Sequence, residues 1–195
     1  MGNTVLMRGE TVTAFTQELF QKAGMSEPDA KYHAECLVNT NYWGIDSHGV
    51  IRVPAYFKRM LNGAINTNPQ IKVVRGEGCL EVLDVDAAAG FIGGRAGMER
   101  AMDHAAVSGI AACGVINSNH FGAGALYARM AAERGMIGIG SGSQCSGDRK
   151  QSHCLRHSYI RRIPICAGYV PFRGGRRQAY PGNQEEGKDS YGLGN

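Results

Sequence analysis

Residues spaced to bury one face of a helix or strand run through the first 147 positions of this chain and then stop. Leu, Ile, Val, Met and Phe together number only 7 in residues 148–195, and no period of 2 or 3.6 holds there for more than a few residues. Charge divides at the same place. Residues 1–147 carry 12 Lys+Arg against 13 Asp+Glu, a net −1, whereas residues 148–195 carry 9 against 4, a net +5. The overall charge of +4 and pI of about 8.8 invite a nucleic-acid reading. That reading needs a folded basic surface with standard readers, and only Tyr159, Tyr169 and Tyr180, interleaved with Arg, offer a loose match. The expected organisation is therefore a packed body, 1–147, and a basic, irregular tail, 148–195, with no nucleic-acid partner.

No window approaches the ~18 consecutive apolar residues of a membrane helix. Met1 to Glu10 contains no apolar core of a secretory signal. The 6 cysteines are spread through a chain of 195 residues, so free thiols and a cytoplasmic location are expected, with no membrane partner.

Within the body, Val12, Phe15, Leu19 and Phe20 recur at helical spacing, and Gly24 stands where a C-cap belongs. Ser26-Glu27-Pro28-Asp29 is a helix start, with Ala30, Ala34, Leu37 and Val38 on one face and an end near Trp43-Gly44. A third helix is predicted over Pro54 to Leu61. Ile71 to Val74 and Leu80 to Leu83 flank Gly76-Glu77-Gly78 as a hairpin. A helix over Gly90 to Ser108, a buried strand over Gly109 to Ile116, a helix over Ala123 to Glu133 and a strand over Met136 to Gly140 complete the order. Helices, a hairpin and then β-α-β units read as α/β or α+β.

Four constellations could carry chemistry. Gly44-Ile45-Asp46-Ser47-His48-Gly49, followed by Arg52 and Tyr56, lies between two predicted helices. Imidazole titrates near neutrality and can pass a proton to a carbonyl oxygen. Arg52 can hold a carboxylate through two hydrogen bonds. The same residues also read as a capped helix start with a solvated His and Arg. Asn117-Ser118-Asn119-His120-Phe121-Gly122 follows a predicted buried strand and opens a helix, the position at which α/β sheets bind ligands. There His120 is a candidate acid/base and Asn119 a candidate hold on the substrate oxygen, the alternative being a helix cap with a satisfied His. Gly90-Phe91-Ile92-Gly93-Gly94-Arg95-Ala96-Gly97 follows no strand in the place a phosphate loop requires, so close helix packing is the expected use of its glycines. Cys145, His153, Cys154, His157 and Cys166 match no standard zinc spacing, and no metal is expected.

Asp46-Ser47-His48-Gly49 with Arg52 and Tyr56, taken together with Asn119-His120-Phe121-Gly122, resembles the malate/L-lactate dehydrogenase family of the non-Rossmann type. Asn66-Thr67-Asn68-Pro69, the hairpin after it, and Asp84 to Gly90 fit the family's order, and the match covers roughly residues 8 to 150. The resemblance implies the family's own mixed α/β dehydrogenase fold and a homodimer. It also implies hydride transfer between NAD or NADP and a small 2-hydroxy or 2-oxo acid. Carried over by position, His48 and His120 are the proton-transfer candidates and Ser47 supports His48. Arg52 pairs with the substrate carboxylate, and Tyr56 lines the pocket with Asn119. His120, Phe121 and Gly122 border the nicotinamide, with Ser141 and Ser143 in the next cofactor loop.

The resemblance lapses after Gly140, where Ser141 to Lys150 replaces the family's expected text. Family chains are much longer, so a truncated member is expected. Out-of-frame translation of the tail accounts for both the break and the composition. Lys188 to Gly194, back-translated and read one base later, allows Arg/Lys-Ile-Pro-Met-Gly-Trp, which resembles a family segment. On that expectation the motifs report a dehydrogenase, and the alternative for this chain is a non-catalytic remnant.

Overall fold

A computed structural model describes residues 6–141. The boundary expected at residue 147, the basic tail, Ser143 and the Cys145–Cys166 set all lie outside the described residues. Helix α1 (Gly9–Lys22) ends one residue before Ala23, and Gly24 turns the chain at φ +97°. Helix α2 (Glu27–Tyr42) starts as its sequence requires: the Ser26 hydroxyl accepts from the Asp29 N–H at 3.4 Å and donates to the Asp29 carboxylate at 2.9 Å. Ala30, Ala34 and Leu37 bury the face expected of them. Two 3₁₀ turns (Asp46–His48 and Val50–Arg52) then lead into α3 (Val53–Leu61).

Strand β1 (Lys72–Glu77) pairs antiparallel with β2 (Leu80–Asp84). The hairpin turn falls at Gly78-Cys79, later than expected, because Gly76 and Glu77 belong to the strand. Gly76 takes φ +80° and passes so close to the Leu80 carbonyl that a Cβ would collide with it, which lets the ladder close further along. Helix α4 (Gly90–Ser108) crosses from β2 to β3 (Ala112–Ile116), which lies parallel to β2, giving the sheet order β1-β2-β3. The β3 strand was expected from Gly109, but that glycine is the left-handed stop of α4 at φ +81°. Helix α5 (Ala125–Glu133) follows.

Met136 to Gly140 is not a strand, contrary to expectation. Ladder hydrogen bonds need a neighbouring strand. None of the described strands lies beside this segment, and Ile137 is 94% exposed. The Met136 N–H instead closes α5 on the Ala131 carbonyl at 2.9 Å.

The glycines of α4 are used for packing. A Cβ on Gly93 would stand 2.9 Å from Val85 and one on Gly97 2.6 Å from Val115, so α4 lies directly on the sheet. The core gathers Phe20, Leu37, Ile65, Leu83, Val85 and Phe91, all 2% exposed or less. The one buried carboxylate among the described residues, Glu81, meets the Arg100 guanidinium through two hydrogen bonds of 2.7 Å and His104 at 3.2 Å. Among the described residues Cys36, Cys79 and Cys113 are free thiols, and no helix is long and apolar enough to cross a membrane.

Candidate functional site

The first histidine is placed by the end of α2. The Asn41 side chain donates to the Asp46 carboxylate and accepts from the Val50 N–H at 2.7 Å, so one amide fixes both 3₁₀ turns. Gly49 is buried against it, where a Cβ would strike the Asn41 carbonyl oxygen. In that frame the Ser47 hydroxyl lies 2.8 Å from His48 Nδ1, and Arg52 donates its Nε–H to the Ser47 carbonyl at 2.7 Å. Arg52 is exposed.

The second histidine is placed by the carboxyl end of β3. Asn117 turns the chain at φ +52°, after Asp86 and Ala87 have turned the parallel strand exit at φ +51° and +56°. Asn119 ties the two turns together. Its amide nitrogen donates to the Ala87 and Ala88 carbonyls at 2.8 and 3.0 Å, and its oxygen accepts from Arg59 at 2.6 Å. An amide so occupied positions its neighbour His120; its oxygen and nitrogen are both engaged by protein groups.

The two motifs meet. His48 and His120 have ring centroids 5.4 Å apart. Tyr56, buried on α3, brings its hydroxyl 2.8 Å from His120 Nδ1. The Gly122 N–H donates to the same nitrogen at 3.3 Å. A nitrogen that receives an amide N–H presents its lone pair, so the proton of neutral His120 sits on Nε2. Burial holds the His120 pKa below its ordinary value, and the charges of His48, Arg52 and Arg59 lower it further. Burial pushes the Tyr56 hydroxyl up to about 12, so it remains a neutral donor. Tyr56, expected to line the pocket, is 5% exposed, with its hydroxyl on His120.

Phe121 stacks on Tyr127 with centroids 5.6 Å apart, and its carbonyl accepts from the Tyr127 hydroxyl. Gly122 at φ +75° stands against Phe91, where no side chain would fit. His120, Phe121 and Gly122 thus form a neutral, half-buried wall suited to a planar ring. The glycines at 90–97 offer no pyrophosphate cradle, since Val85, Tyr127, Val115 and the His120 carbonyl fill the space above them. Ser141 is exposed at the end of the described residues. No group of three or more His, Cys, Asp or Glu among the described residues could hold a metal.

Three residues of this environment escaped the sequence reading. His33 had no local signal, because its contacts are made across the fold, and Asn41 reads as an ordinary residue of α2 until the turns five and nine residues on close against it. Arg59 did have a local signal: it stands seven residues after Arg52 and three after Tyr56, on the same helical face.

A sequence profile described as malate/L-lactate dehydrogenase matches residues 7–145. The chain is 39% identical over 137 residues to a malate dehydrogenase of Pyrococcus abyssi, covering 70% of this chain and 38% of the relative. It is 33% identical over 135 residues to an L-sulfolactate dehydrogenase of Methanocaldococcus jannaschii, covering 69% and 39%. Among solved structures, a malate dehydrogenase from Pyrococcus horikoshii OT3 superposes with a TM-score of 0.67 at 32% identity, covering 73% of this chain and 43% of the other. The chain therefore spans somewhat over a third of the length of the curated relatives it matches.

Proposed function

This chain belongs to the malate/L-lactate dehydrogenase family, and from that premise we propose that its two histidine motifs form the proton-transfer and carboxylate-binding part of a 2-hydroxy acid dehydrogenase site. The observation that carries the reading is the convergence, from two separate motifs, of His48 and His120 beside a guanidinium and a buried tyrosine. NAD or NADP, when bound, supplies the hydride chemistry. His120, Phe121 and Gly122 would meet the nicotinamide ring, with Ser141 and Ser143 following in the chain.

The remaining work falls to the chain's own side chains. Arg52, held by the Ser47 carbonyl, presents two terminal nitrogens to the substrate carboxylate and fixes its orientation. In reduction of a 2-oxo acid, His120 acts as the imidazolium, with a second proton on Nδ1 toward the Tyr56 hydroxyl; it gives the Nε2 proton to the carbonyl oxygen and is left neutral. In oxidation, Nε2 must take a proton, and Nδ1 must then carry one of its own. The Tyr56 hydroxyl allows this because it can donate to Nδ1 or accept from it. His48, oriented by Ser47, lies too close for both imidazoles to charge together, so its proton state biases that of His120. By the same family reading the assembled enzyme is a cytoplasmic homodimer, which sedimentation equilibrium would test.

The decisive experiment pairs turnover with binding. NADH or NADPH consumption is measured with pyruvate and oxaloacetate, and L-lactate binding is followed through the imidazole NMR signals. Saturable lactate binding that shifts His120 and is lost in Arg52→Ala supports the site. Turnover abolished in His120→Asn supports the proton role. Lactate binding indifferent to Arg52→Ala overturns the site reading. Binding without turnover identifies a non-catalytic remnant.

A further inference from the structure

Among the described residues, three that are not glycine take a left-handed backbone: Asp86 at φ +51°, Ala87 at +56° and Asn117 at +52°. All three lie just past the carboxyl ends of the parallel strands β2 and β3. Such residues relax toward extended or right-handed backbone unless surrounding bonds hold them. A single atom bonds two of the three. Asp84 Oδ1 accepts the Asp86 N–H at 2.8 Å and the Asn117 side-chain N–H at 3.0 Å. Asp84 is the last residue of β2 and stands opposite Ile116, the last residue of β3. Its carboxylate therefore reaches forward along its own chain and across to the neighbouring strand.

Parallel strands have no tight turn between them, so bonds past the ladder must fix one exit against the other. The Ala87 N–H on the Asn117 carbonyl at 2.8 Å is one such bond, and the Asn119 amide on the Ala87 and Ala88 carbonyls is a second. The Asp84 bond to Asn117 is a third, and its acceptor is charged. A charge-assisted hydrogen bond is about twice as strong as a neutral one. His120 follows three residues after Asn117, and its Nδ1 must meet a Tyr56 hydroxyl that arrives on α3. A shift of the β3 exit draws His120 off that hydroxyl.

We propose that Asp84 is a positioning residue for proton transfer: it clamps the two strand exits so that His120 keeps Nδ1 on Tyr56 and Nε2 toward the substrate. It acts through Asn117 and Asp86, not on the imidazole itself. The proposal rests on the assignment of proton transfer to His120.

The full chain is compared with Asp84→Ala, Asp84→Asn and Asn117→Gly, each checked for folding by circular dichroism. Asp84→Ala removes both bonds, whereas Asp84→Asn keeps an oxygen able to accept both. Asn117→Gly removes one donor and suits the left-handed turn, so it carries the same test should Asp84→Ala fail to fold. The first readout is the nitrogen NMR spectrum of the His120 imidazole, assigned by its loss in His120→Asn. In Asp84→Ala and Asn117→Gly its Nδ1 and Nε2 signals should move toward one another as both tautomers become populated. Asp84→Asn should keep the parent pattern, and the His33 signals should stay in place throughout. The second readout is turnover of oxaloacetate with NADH or NADPH. There kcat should fall about tenfold in Asp84→Ala and Asn117→Gly with KM within about threefold, and Asp84→Asn should stay within about threefold of the parent. A parent-like His120 spectrum in Asp84→Ala or Asn117→Gly overturns the proposal. Equal loss in Asp84→Asn also overturns it, because charge and not anchoring would then be the agent. Joint movement of the His33 and His120 signals overturns it as well, since that marks general loosening. If the parent shows no turnover, or if His120→Asn leaves turnover intact, the proton-transfer reading fails, and the clamp stands or falls on the His120 spectrum alone.

Discussion

The chemistry of His120 is decided by one nitrogen. Nδ1 is committed to Tyr56 and Gly122, so Nε2 faces the reaction space, and burial, with the surrounding positive charges adding to it, keeps the ring neutral to lower pH than usual. The His120 signal should titrate below the ordinary histidine value of about 6.5. Removing a neighbouring cation in Arg52→Gln should raise its midpoint by a few tenths of a unit at low salt, with the increment shrinking as salt is added. An unchanged midpoint in a proton NMR titration would place the cause in burial alone. Tyr56→Phe deletes a bond to His120 without touching the space where substrate would lie. Loss of one hydrogen bond, about 1 kcal/mol, should appear as a five- to tenfold fall in kcat with KM within about twofold. A rise in KM at constant kcat would instead make Tyr56 a substrate contact.

At the scale of elements, the site depends on how closely α4 lies against the strands whose carboxyl ends carry both turns. Gly97→Ala tests that closeness. Alanine gains about 1 kcal/mol of helix propensity over glycine. Its Cβ, however, would stand 2.6 Å from Val115 in a packed layer, an overpacking that costs about 1–3 kcal/mol. The net expectation is a destabilisation of up to about 2 kcal/mol in urea unfolding. A stabilised variant would show that α4 has room to move. These elements also mark what a sequence can disclose. Ser26, the α2 face and the whole span of α4 were legible because caps and helical periods are local. The turn at Gly78-Cys79 was misplaced because a close approach of Gly76 to Leu80 is invisible until the strands are paired. Met136 to Gly140 read as a strand on apolar content alone, although strand formation depends on a neighbour. The site divides in the same way. His48, Arg52, Asn119 and His120 stood out within their motifs, whereas the bonds from Asn119 to Ala87, Ala88 and Arg59 span the fold and are not visible in its motif.

For the molecule as a whole, the most exacting residue is one that does no chemistry. His33 on α2 is fully buried, and neither ring nitrogen has a partner. It packs among Phe20, Tyr56 and Phe91 at centroid distances of 4.6, 5.0 and 4.4 Å. Burial pushes its pKa down to about 3, so the folded chain holds it neutral. The unfolded chain protonates it near the ordinary value of about 6.5. Between those two values the unfolded state binds more protons, so stability falls as the pH falls through that window. The slope should approach roughly 1 kcal/mol per pH unit from this residue alone. The stabilisation is fully present above about pH 6.5, where both states are neutral. His33→Leu removes the titration and the two unpartnered nitrogens together. It should therefore flatten the loss of stability between pH 6.5 and pH 4.5, and at pH 7.5 it should match the parent or exceed it by about 1 kcal/mol. Urea midpoints across that range provide the measurement. Parallel pH profiles for the two proteins would mean that acid acts elsewhere, with the Glu81–Arg100 pair the next group to examine. That carboxylate, held low chiefly by its hydrogen bond to Arg100, loses its contribution only at still lower pH, as protonation breaks the pair. The order of the two effects, histidine first and carboxylate second, follows from the direction of each shift. Tyr56 links the core to the site, because its ring packs edge-on against His33 while its hydroxyl meets His120.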